Sequence, residues 1–220
     1  MIAAATVVAA ICGGALSPYL ARLTVSVPDR EDHRWWRPAA VGGRRYLATA
    51  AVAVALTALA GAGAALTALF PALIFLALVH TPLVVIDFET KRLPNRLVFP
   101  AAIGGALLFG LAALVDGDSS ALLRTFEAAA LVYAIFFAVI MISPRSFGFG
   151  DVKLLGVLAG MLGWFGWREV YYGVLAGFLL GSVVALGRLL TRRATMKSTI
   201  PLGPSLIFGA FLVTGLHRVL

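Results

Sequence analysis

Long apolar stretches alternate with short polar segments along the chain. Most of the apolar stretches are close to the ~20 residues that an α-helix needs to cross a bilayer. Eight such stretches can be delimited: Ile2–Leu20, Tyr46–Ala62, Ala65–Ile86, Leu97–Val115, Phe126–Ile142, Val152–Phe165, Val170–Leu190 and Leu202–Val219. The run Ala48–Val85 is too long for one span, so we divide it at Gly61-Ala-Gly63. The pattern predicts an all-α polytopic membrane bundle of about eight transmembrane helices.

The composition supports a membrane protein and excludes two other classes. Of the 220 residues, 61% are hydrophobic and 13% are charged, and the mean hydropathy is +0.97. Soluble domains are about 45–50% apolar and about 25% charged, so an ordinary soluble domain and a disordered chain are both excluded. We expect a single integral membrane domain over residues 1–220, with a short basic loop at 21–45. Cys12 is the single cysteine, so no internal disulfide or CxxC zinc site can form.

Basic residues are distributed unequally between the two ends of the predicted spans. Three of them, Arg124, Arg168 and Arg218, lie at the ends that follow even-numbered spans. The other 15 of the 18 lie where odd-numbered spans end: Arg22, Arg30, Arg34, Arg37, Arg44, Arg45, Lys91, Arg92, Arg96, Arg145, Lys153, Arg188, Arg192, Arg193 and Lys197. Because cytoplasmic loops are enriched in Lys and Arg, we expect the N-terminus outside and these loops in the cytoplasm. The net charge of +8 therefore indicates orientation in a membrane, and we expect no nucleic-acid partner.

Two aspartates stand at span edges that the charge pattern assigns to the same face. Asp87 ends the third span, and Asp151 begins the sixth. A carboxylate inside a membrane helix costs about 2.5–3.5 kcal/mol, which favours a functional role. Each aspartate also has a structural interpretation: Asp151 could cap its helix, and Asp87 could pair with Lys91 four residues on.

The chemistry of paired carboxylates gives these two residues a common purpose. Two carboxylates held close together cannot both ionise, so they share a proton. One then takes a proton from water, while the other protonates the scissile carbonyl and assists the leaving amine. This is aspartic peptide hydrolysis, and we expect no metal or other cofactor. Gly148 and Gly150 would let an extended substrate backbone approach Asp151, although helix-end flexibility would also explain them.

Three motifs together resemble the type IV prepilin peptidases. Asp87-x6-Pro94-Asn95 resembles their first catalytic motif, and Gly148-Phe-Gly150-Asp151-Val-Lys153 resembles their GxGD signature. The segment from Ile200 to Gly209 resembles the family's Pro- and Gly-rich motif in the final span. The resemblance implies a membrane aspartic endopeptidase with Asp87 and Asp151 as its catalytic pair.

The resemblance also implies a substrate and a location. Such an enzyme would remove the basic leader from type IV prepilin or pseudopilin precursors. It would be a multi-pass protein of the bacterial inner membrane, with its active site facing the cytoplasm. The sequence does not indicate which precursor is cut, nor whether the system serves pili, secretion or DNA uptake.

The first loop departs from the pattern of many bacterial members of that family. Those members carry an insertion there, usually with paired CxxC zinc motifs, which accompanies N-methylation from S-adenosylmethionine. The loop at 21–45 is short and contains no cysteine. The resemblance therefore supports the peptidase activity, in the form of the compact members, and gives no support for methyltransferase activity.

Six further positions are candidates for supporting roles. Glu89 could tune Asp87 or pair with Lys91 or Arg92, and Lys153 could bind substrate, offset the charge of the pair or extend to the interface. His80 shares a helix face with Asp87 and is predicted to be a buried, hydrogen-bonded histidine. The acidic residues of the first loop, Asp29, Glu31 and Asp32, could attract a basic leader.

Other functions remain open at this point. A small transporter or channel would also use intramembrane acids and Gly- and Pro-interrupted helices, although it has no need of these motifs at one face. An inactive peptidase relative is a second alternative. Presenilin-type proteases share GxGD but pair it with a Tyr-Asp motif, whereas Asp87 follows Ile86.

Overall fold

The computed structural model describes residues 1–28, 40–143, 148–191 and 201–218, and these ranges form α-helices without any β-strand. The helices are α1 (Ile2–Ser26), α2 (Gly43–Ala64), α3 (Phe70–Thr90), α4 (Asn95–Asp116), α5 (Ser119–Ile142), α6 (Phe149–Gly163), α7 (Trp167–Leu190) and α8 (Gly203–Leu216). The predicted all-α bundle of eight helices is confirmed.

Six of the eight helices, α1 to α5 and α7, are long and apolar enough to cross a membrane. The protein is therefore a multi-pass membrane protein. Helices α6 and α8 have 15 and 14 residues. At 1.5 Å per residue each is about 22 Å long or less, which is shorter than the ~30 Å hydrocarbon core.

Three pairs of consecutive helices, α1–α2, α5–α6 and α7–α8, form the most extensive contacts of the bundle, and small residues lie at these contacts. In the α7–α8 pair, the backbone of Gly209 lies against the backbone of Gly177, so closely that a Cβ on Gly209 would lie 2.6 Å from the Cα of Gly177. Because lipid tails remove the hydrophobic drive for helix association in a membrane, close backbone approach of this kind is a main source of packing energy there.

Helix α3 is the centre of the bundle. It packs against α1, α2, α4 and α8, and 72% of its most apolar window is buried. A helix that is apolar on all sides is expected in such a position. The outer helices instead present large apolar side chains to the surroundings, such as Ile103, Leu107 and Leu114 on α4, and this is the surface that a bilayer covers.

The break between α2 and α3 lies one turn later than the sequence predicts. We expected it at Gly61-Ala-Gly63, but the chain leaves the helix at residues 65–69. Gly61 stays helical because it packs against the backbone of Ala5 on α1. The break instead begins at Ala65, which has a φ of 51°, and Pro71 occupies the first turn of α3.

Basic side chains gather at one end of the bundle in the part of the chain that the structure describes. This end contains the end of α3 and the beginnings of α4, α6 and α8. Its basic residues are Arg22, Arg44, Arg45, Lys91, Arg92, Arg96, Lys153 and Arg188. The other residues of the predicted asymmetry, Arg30, Arg34, Arg37, Arg145, Arg192, Arg193 and Lys197, lie outside the described residues, as do Asp29, Glu31 and Asp32.

Candidate active site

A cavity of about 780 Å³ opens at the basic end of the bundle. Its walls are the end of α1, the loop from α3 to α4, and the beginning of α6, and both Asp87 and Asp151 line it. The fold thus brings together two residues that lie 64 positions apart in the sequence.

Asp87 lies in the last turn of α3 and is only 4% exposed. Its Oδ2 accepts a hydrogen bond of 3.0 Å from the backbone N–H of Gly203, the first residue of α8. A carboxylate removed from water needs such a partner, and a bond to an ionised group is among the stronger ones. The bond fixes the orientation of the carboxylate.

Gly203 is a site residue that reasoning from single residues missed. A Cβ at this position would lie 2.7 Å from the Oδ2 of Asp87 and 3.2 Å from its Cγ, so any side chain would push the carboxylate away. The available signal was the Pro- and Gly-rich motif of the final span, which contains Gly203 but does not indicate its partner.

Asp151 occupies the third position of α6. The N-cap is Gly148, whose extended backbone has φ −75° and ψ 140°, so the alternative that Asp151 is the N-cap is wrong. From the first turn, the Asp151 carboxylate reaches back toward Gly148, so that a Cβ on Gly148 would lie 3.1 Å from its Oδ2. This is the position of the third residue in a capping box. The positive end of the helix dipole favours a carboxylate at this position.

Leu93 links the beginnings of α6 and α8. A Cβ on Gly150 would lie 3.1 Å from the Cβ of Leu93, and a Cβ on Gly203 would lie 3.4 Å from its Cδ2. Gly150 therefore lets the loop from α3 to α4 pack closely on α6. This is a role in positioning the two aspartates, in addition to the substrate approach expected from the sequence.

Pro94 and Asn95 also line the cavity. Pro94 is the N-cap of α4, and the side-chain Oδ1 of Asn95 accepts a hydrogen bond of 3.0 Å from the Nζ of Lys153. The same ammonium lies 4.5 Å from the ring centre of Phe149 and 5.2 Å from that of Phe99, within the range of cation–π attraction. Lys153 thus connects the beginning of α6 to the beginning of α4, and is not itself among the residues that line the cavity.

Glu89 is turned toward a different partner from those the sequence indicates. Its carboxylate forms an ion pair with Arg45 at the beginning of α2, and Glu89 does not belong to the cavity lining. The lining does include Lys91, Arg92 and Arg96, so the cavity contains both acidic and basic groups. Lys91 ends α3 with a φ of 54°, and its backbone N–H donates to the carbonyl of Asp87 at 2.8 Å.

His80 is completely buried, as expected, but only half of its hydrogen-bonding capacity is used. Its Nδ1–H donates to the carbonyl of Leu76 at 2.7 Å, and its ring meets that of Phe211 edge to face at 5.9 Å. The Nε2 has no partner among the described residues. His80 lies seven residues, about two turns, before Asp87 and does not line the cavity.

The arrangement is suited to hydrolysis by two carboxylates. Asp87 is fixed by α8, Asp151 is fixed by the first turn of α6, and both face a cavity that is large enough for an extended peptide segment. Among the described residues, no group of three His, Cys, Asp or Glu side chains is placed to hold a metal ion.

Comparisons with known proteins agree with this chemistry. The sequence profile of the type IV leader peptidase family matches residues 72–186, which is just over half of the chain. That segment contains Asp87, Asp151 and the loop between α3 and α4.

Several curated relatives bear the name prepilin leader peptidase/N-methyltransferase. The protein of that name from Aeromonas hydrophila is 28% identical over 162 residues, covering 73% of this chain and 52% of the relative. The one from Dickeya chrysanthemi is 32% identical over 127 residues, covering 57% and 44%. The one from Escherichia coli (strain K12) is 28% identical over 132 residues, covering 60% and 56%.

The chain spans about half the length of these curated relatives. No solved structure gives a significant match. The profile match covers more than half of the chain and includes both aspartates. The chain therefore belongs to the type IV leader peptidase family, whose members are aspartic-type proteases.

Proposed function

We propose that this chain is a membrane aspartic endopeptidase that removes the basic leader from type IV prepilin or pseudopilin precursors. The single observation that carries this proposal is that Asp87 and Asp151 line the same cavity at one end of a membrane bundle. Membership of the leader peptidase family and the names of the relatives support the same substrate class.

In the proposed reaction the two aspartates act as one unit and share a proton. The unprotonated carboxylate takes a proton from a water molecule, whose oxygen attacks the scissile carbonyl carbon. The protonated carboxyl group gives its proton to the carbonyl oxygen. The attack and this proton transfer together form a tetrahedral intermediate. When the C–N bond breaks, the dyad gives a proton to the leaving amine, and a hydroxyl group of the intermediate returns a proton to the dyad. The products are the free leader, which ends in a carboxylate, and the mature chain with a new amino terminus.

The remaining site residues are proposed to hold this pair in place. Gly203 orients Asp87 through its amide, and Gly148 does the same for Asp151. Gly150 admits Leu93 between the helices, Pro94 begins α4, and the bond between Lys153 and Asn95 connects two walls of the cavity. Glu89 has a more distant role, since its ion pair with Arg45 ties the end of α3 to α2.

We place the active site at the cytoplasmic face of the bacterial inner membrane. The cavity lies at the end of the bundle where the described basic residues gather, and this end is cytoplasmic by the positive-inside rule. The protein then has two partners. One is the bilayer that surrounds it, and the other is the precursor, whose apolar segment also lies in the membrane.

The relatives' names also include N-methyltransferase, but we assign only the peptidase step to this chain. The loop at 21–45 has no cysteine, so the paired CxxC motifs that accompany methylation in other members have no counterpart there. The mass of the cleaved product distinguishes the two activities, because methylation adds one methyl group to the new amino terminus.

A co-expression assay tests the proposal. A precursor with a basic leader, a glycine at the junction and an apolar segment is expressed with the wild type, Asp87→Asn or Asp151→Asn, and its intact mass is measured. Glu89→Gln serves as the matched control, because it also removes a carboxylate near the end of α3. We expect the wild type and Glu89→Gln to release an unmethylated product and the two aspartate variants to release none.

Two results would oppose the proposal. Cleavage by either aspartate variant, in a host that does not cut the precursor by itself, would show that the pair is not catalytic. Failure of the folded wild type to cut precursors with several different junctions would favour the transporter or the inactive relative.

A further inference from the structure

A second concavity lies beside the catalytic cavity, on the outside of the bundle. It is an apolar groove of about 430 Å³ between α4, α5 and α6, with Leu76 of α3 at its floor. Helices α4 and α5 follow one another in the sequence but contact each other sparsely, and the groove occupies the space between them. Phe99 and Phe126, both in its lining, are 50% exposed, so the groove opens toward the bilayer.

Alanine and glycine make up nearly half of the residues that line this groove. They are Ala101, Ala102, Gly105 and Ala106 on α4, Ala129 and Ala130 on α5, and Gly156 and Gly160 on α6. In a membrane, small residues on facing helices allow another helix to approach closely and gain van der Waals contact. Gly156 and Gly160 already admit α5 against α6. The small residues that remain accessible to a further helix, Ala102, Ala106 and Ala130, lie on α4 and α5.

The groove leads to the catalytic cavity. Lys153, Val157 and Gly160 follow one face of α6 along the groove, a distance of about 10 Å. Lys153 is the one charged residue among the described residues of the lining. It lies at the cavity end of the groove, where it donates to Asn95 of the cavity wall. Asp151 lies two residues before Lys153 on the same helix.

We propose that this groove binds the apolar helical segment of the precursor that follows the cleavage junction. The inference rests on the proposed function and assigns the position of its substrate in the membrane. A helix seated against the small residues ends beside Lys153 and Asn95, and the chain beyond that end enters the cavity in extended form and reaches Asp87 and Asp151. The substrate therefore arrives from within the bilayer, between α4 and α5.

Two groove variants and one matched control variant test the role of the groove. Ala106→Phe and Ala130→Phe fill it, whereas Ala138→Phe places the same bulk on α5 at an exposed position that does not line the groove. We expect both groove variants to lower kcat/KM for the full precursor by about tenfold or more, mainly through KM. Ala138→Phe is expected to change kcat/KM by no more than about twofold.

A binding measurement that does not depend on cleavage completes the test. A photo-crosslinking amino acid is placed at position 106 or at position 138 in the Asp151→Asn protein, which is then mixed with the intact precursor in vesicles of bacterial phospholipid. We expect the apolar segment of the precursor to crosslink at 106 and not at 138. Because the crosslink reports contact with the precursor directly, the result does not depend on the turnover of Ala106→Phe.

The outcomes separate the two proposals. If the wild type cuts no precursor, the proposed function fails whatever the groove binds. If the wild type cuts normally while position 106 captures only phospholipid and the groove variants turn over the precursor like Ala138→Phe, the groove is a lipid site and this inference is overturned.

Discussion

The backbone N–H of Gly203 donates to the Oδ2 of Asp87 at 3.0 Å, across 116 residues of sequence. The bond joins the first residue of α8 to the last turn of α3, in a buried environment where a hydrogen bond to an ionised group is strong. It means that the final helix of the chain, although remote from both aspartate motifs, determines how one of them is oriented.

Replacing Gly203 with alanine is expected to reduce kcat for precursor cleavage by about 100-fold, the effect of displacing a catalytic group by about 1 Å. The reason is steric, since the new Cβ would lie 2.7 Å from the Oδ2 of Asp87. The KM should change little, because Gly203 is not among the residues that line the cavity. Steady-state kinetics with purified protein and a precursor substrate will measure both quantities.

Gly110→Ala is the matched control for this variant. It is also a helical glycine, but no heavy atom lies within 4 Å of the Cβ that the substitution adds. Its kinetics should equal those of the wild type. A Gly203→Ala enzyme with wild-type kcat would show that the orientation of Asp87 does not depend on α8.

Lys153 and Asn95 are expected to act as one unit. Lys153→Met removes the donor and Asn95→Ala removes the acceptor, and each should lower kcat/KM by about fivefold, the value of one ordinary hydrogen bond. The double variant should lose little more than either single one, with a coupling energy of about 1 kcal/mol. A double-mutant cycle on kcat/KM measures this coupling.

Arg188→Met provides the comparison for Lys153→Met. Arg188 lies over the ring of Phe88 at 5.9 Å, so the variant also removes a cation from an aromatic contact at this end of the bundle, but away from the cavity lining. It should leave kcat/KM unchanged. Strictly additive losses for Lys153→Met and Asn95→Ala would mean that the bond between them does not contribute to the site.

The sequence was sufficient to predict that Asp87 and Asp151 face the same end of the bundle. This followed from the number of spans between them and from the charge asymmetry, because each antiparallel helix reverses the direction of the chain. The prediction depended on dividing Ala48–Val85 correctly, and the division was correct even though its position was one turn early. The glycines of α2 near this break pack against neighbouring helices. A sequence pattern that marks glycines as turn residues does not show this role.

Contacts between distant helices could not be predicted in the same way. The partner of Glu89 is Arg45, 44 residues earlier, rather than a nearby Lys91 or Arg92, because the end of α3 packs beside the beginning of α2. The role of Gly203 depends on the same kind of long-range packing. Asp151 was expected as a possible N-cap from residue preference alone, whereas the extended conformation of Gly148 moves the cap three residues earlier.

The ion pair between Arg45 and Glu89 is expected to stabilise the protein only slightly. Its side chains are 30% and 37% exposed, and such pairs contribute about 0.2–1 kcal/mol. Glu89→Gln should therefore lower the Tm by a small amount and leave the pH dependence of kcat unchanged. The exchanged pair Arg45→Glu with Glu89→Arg should recover the Tm. A shifted pH profile in Glu89→Gln would instead show that Glu89 acts electrostatically on the aspartates.

Asp118 should make the beginning of α5 sensitive to acid. It is the N-cap of α5, and the hydrogen bond from the backbone N–H of Ala121 to its Oδ1, 2.9 Å long, holds the pKa of Asp118 below its ordinary value. A lowered pKa in the folded state means that the ionised form stabilises the fold, fully at pH 7 and less as the pH falls below about 4. Asp118→Ala should therefore have a lower Tm than the wild type at pH 7, and the difference should shrink in acid. Asp118→Asn keeps a neutral hydrogen-bond acceptor, so its Tm should exceed that of Asp118→Ala both at pH 7 and in acid. Thermal unfolding of the wild type and the two variants in the same detergent tests this. Equal Tm values at pH 7 would show that the cap does not stabilise α5.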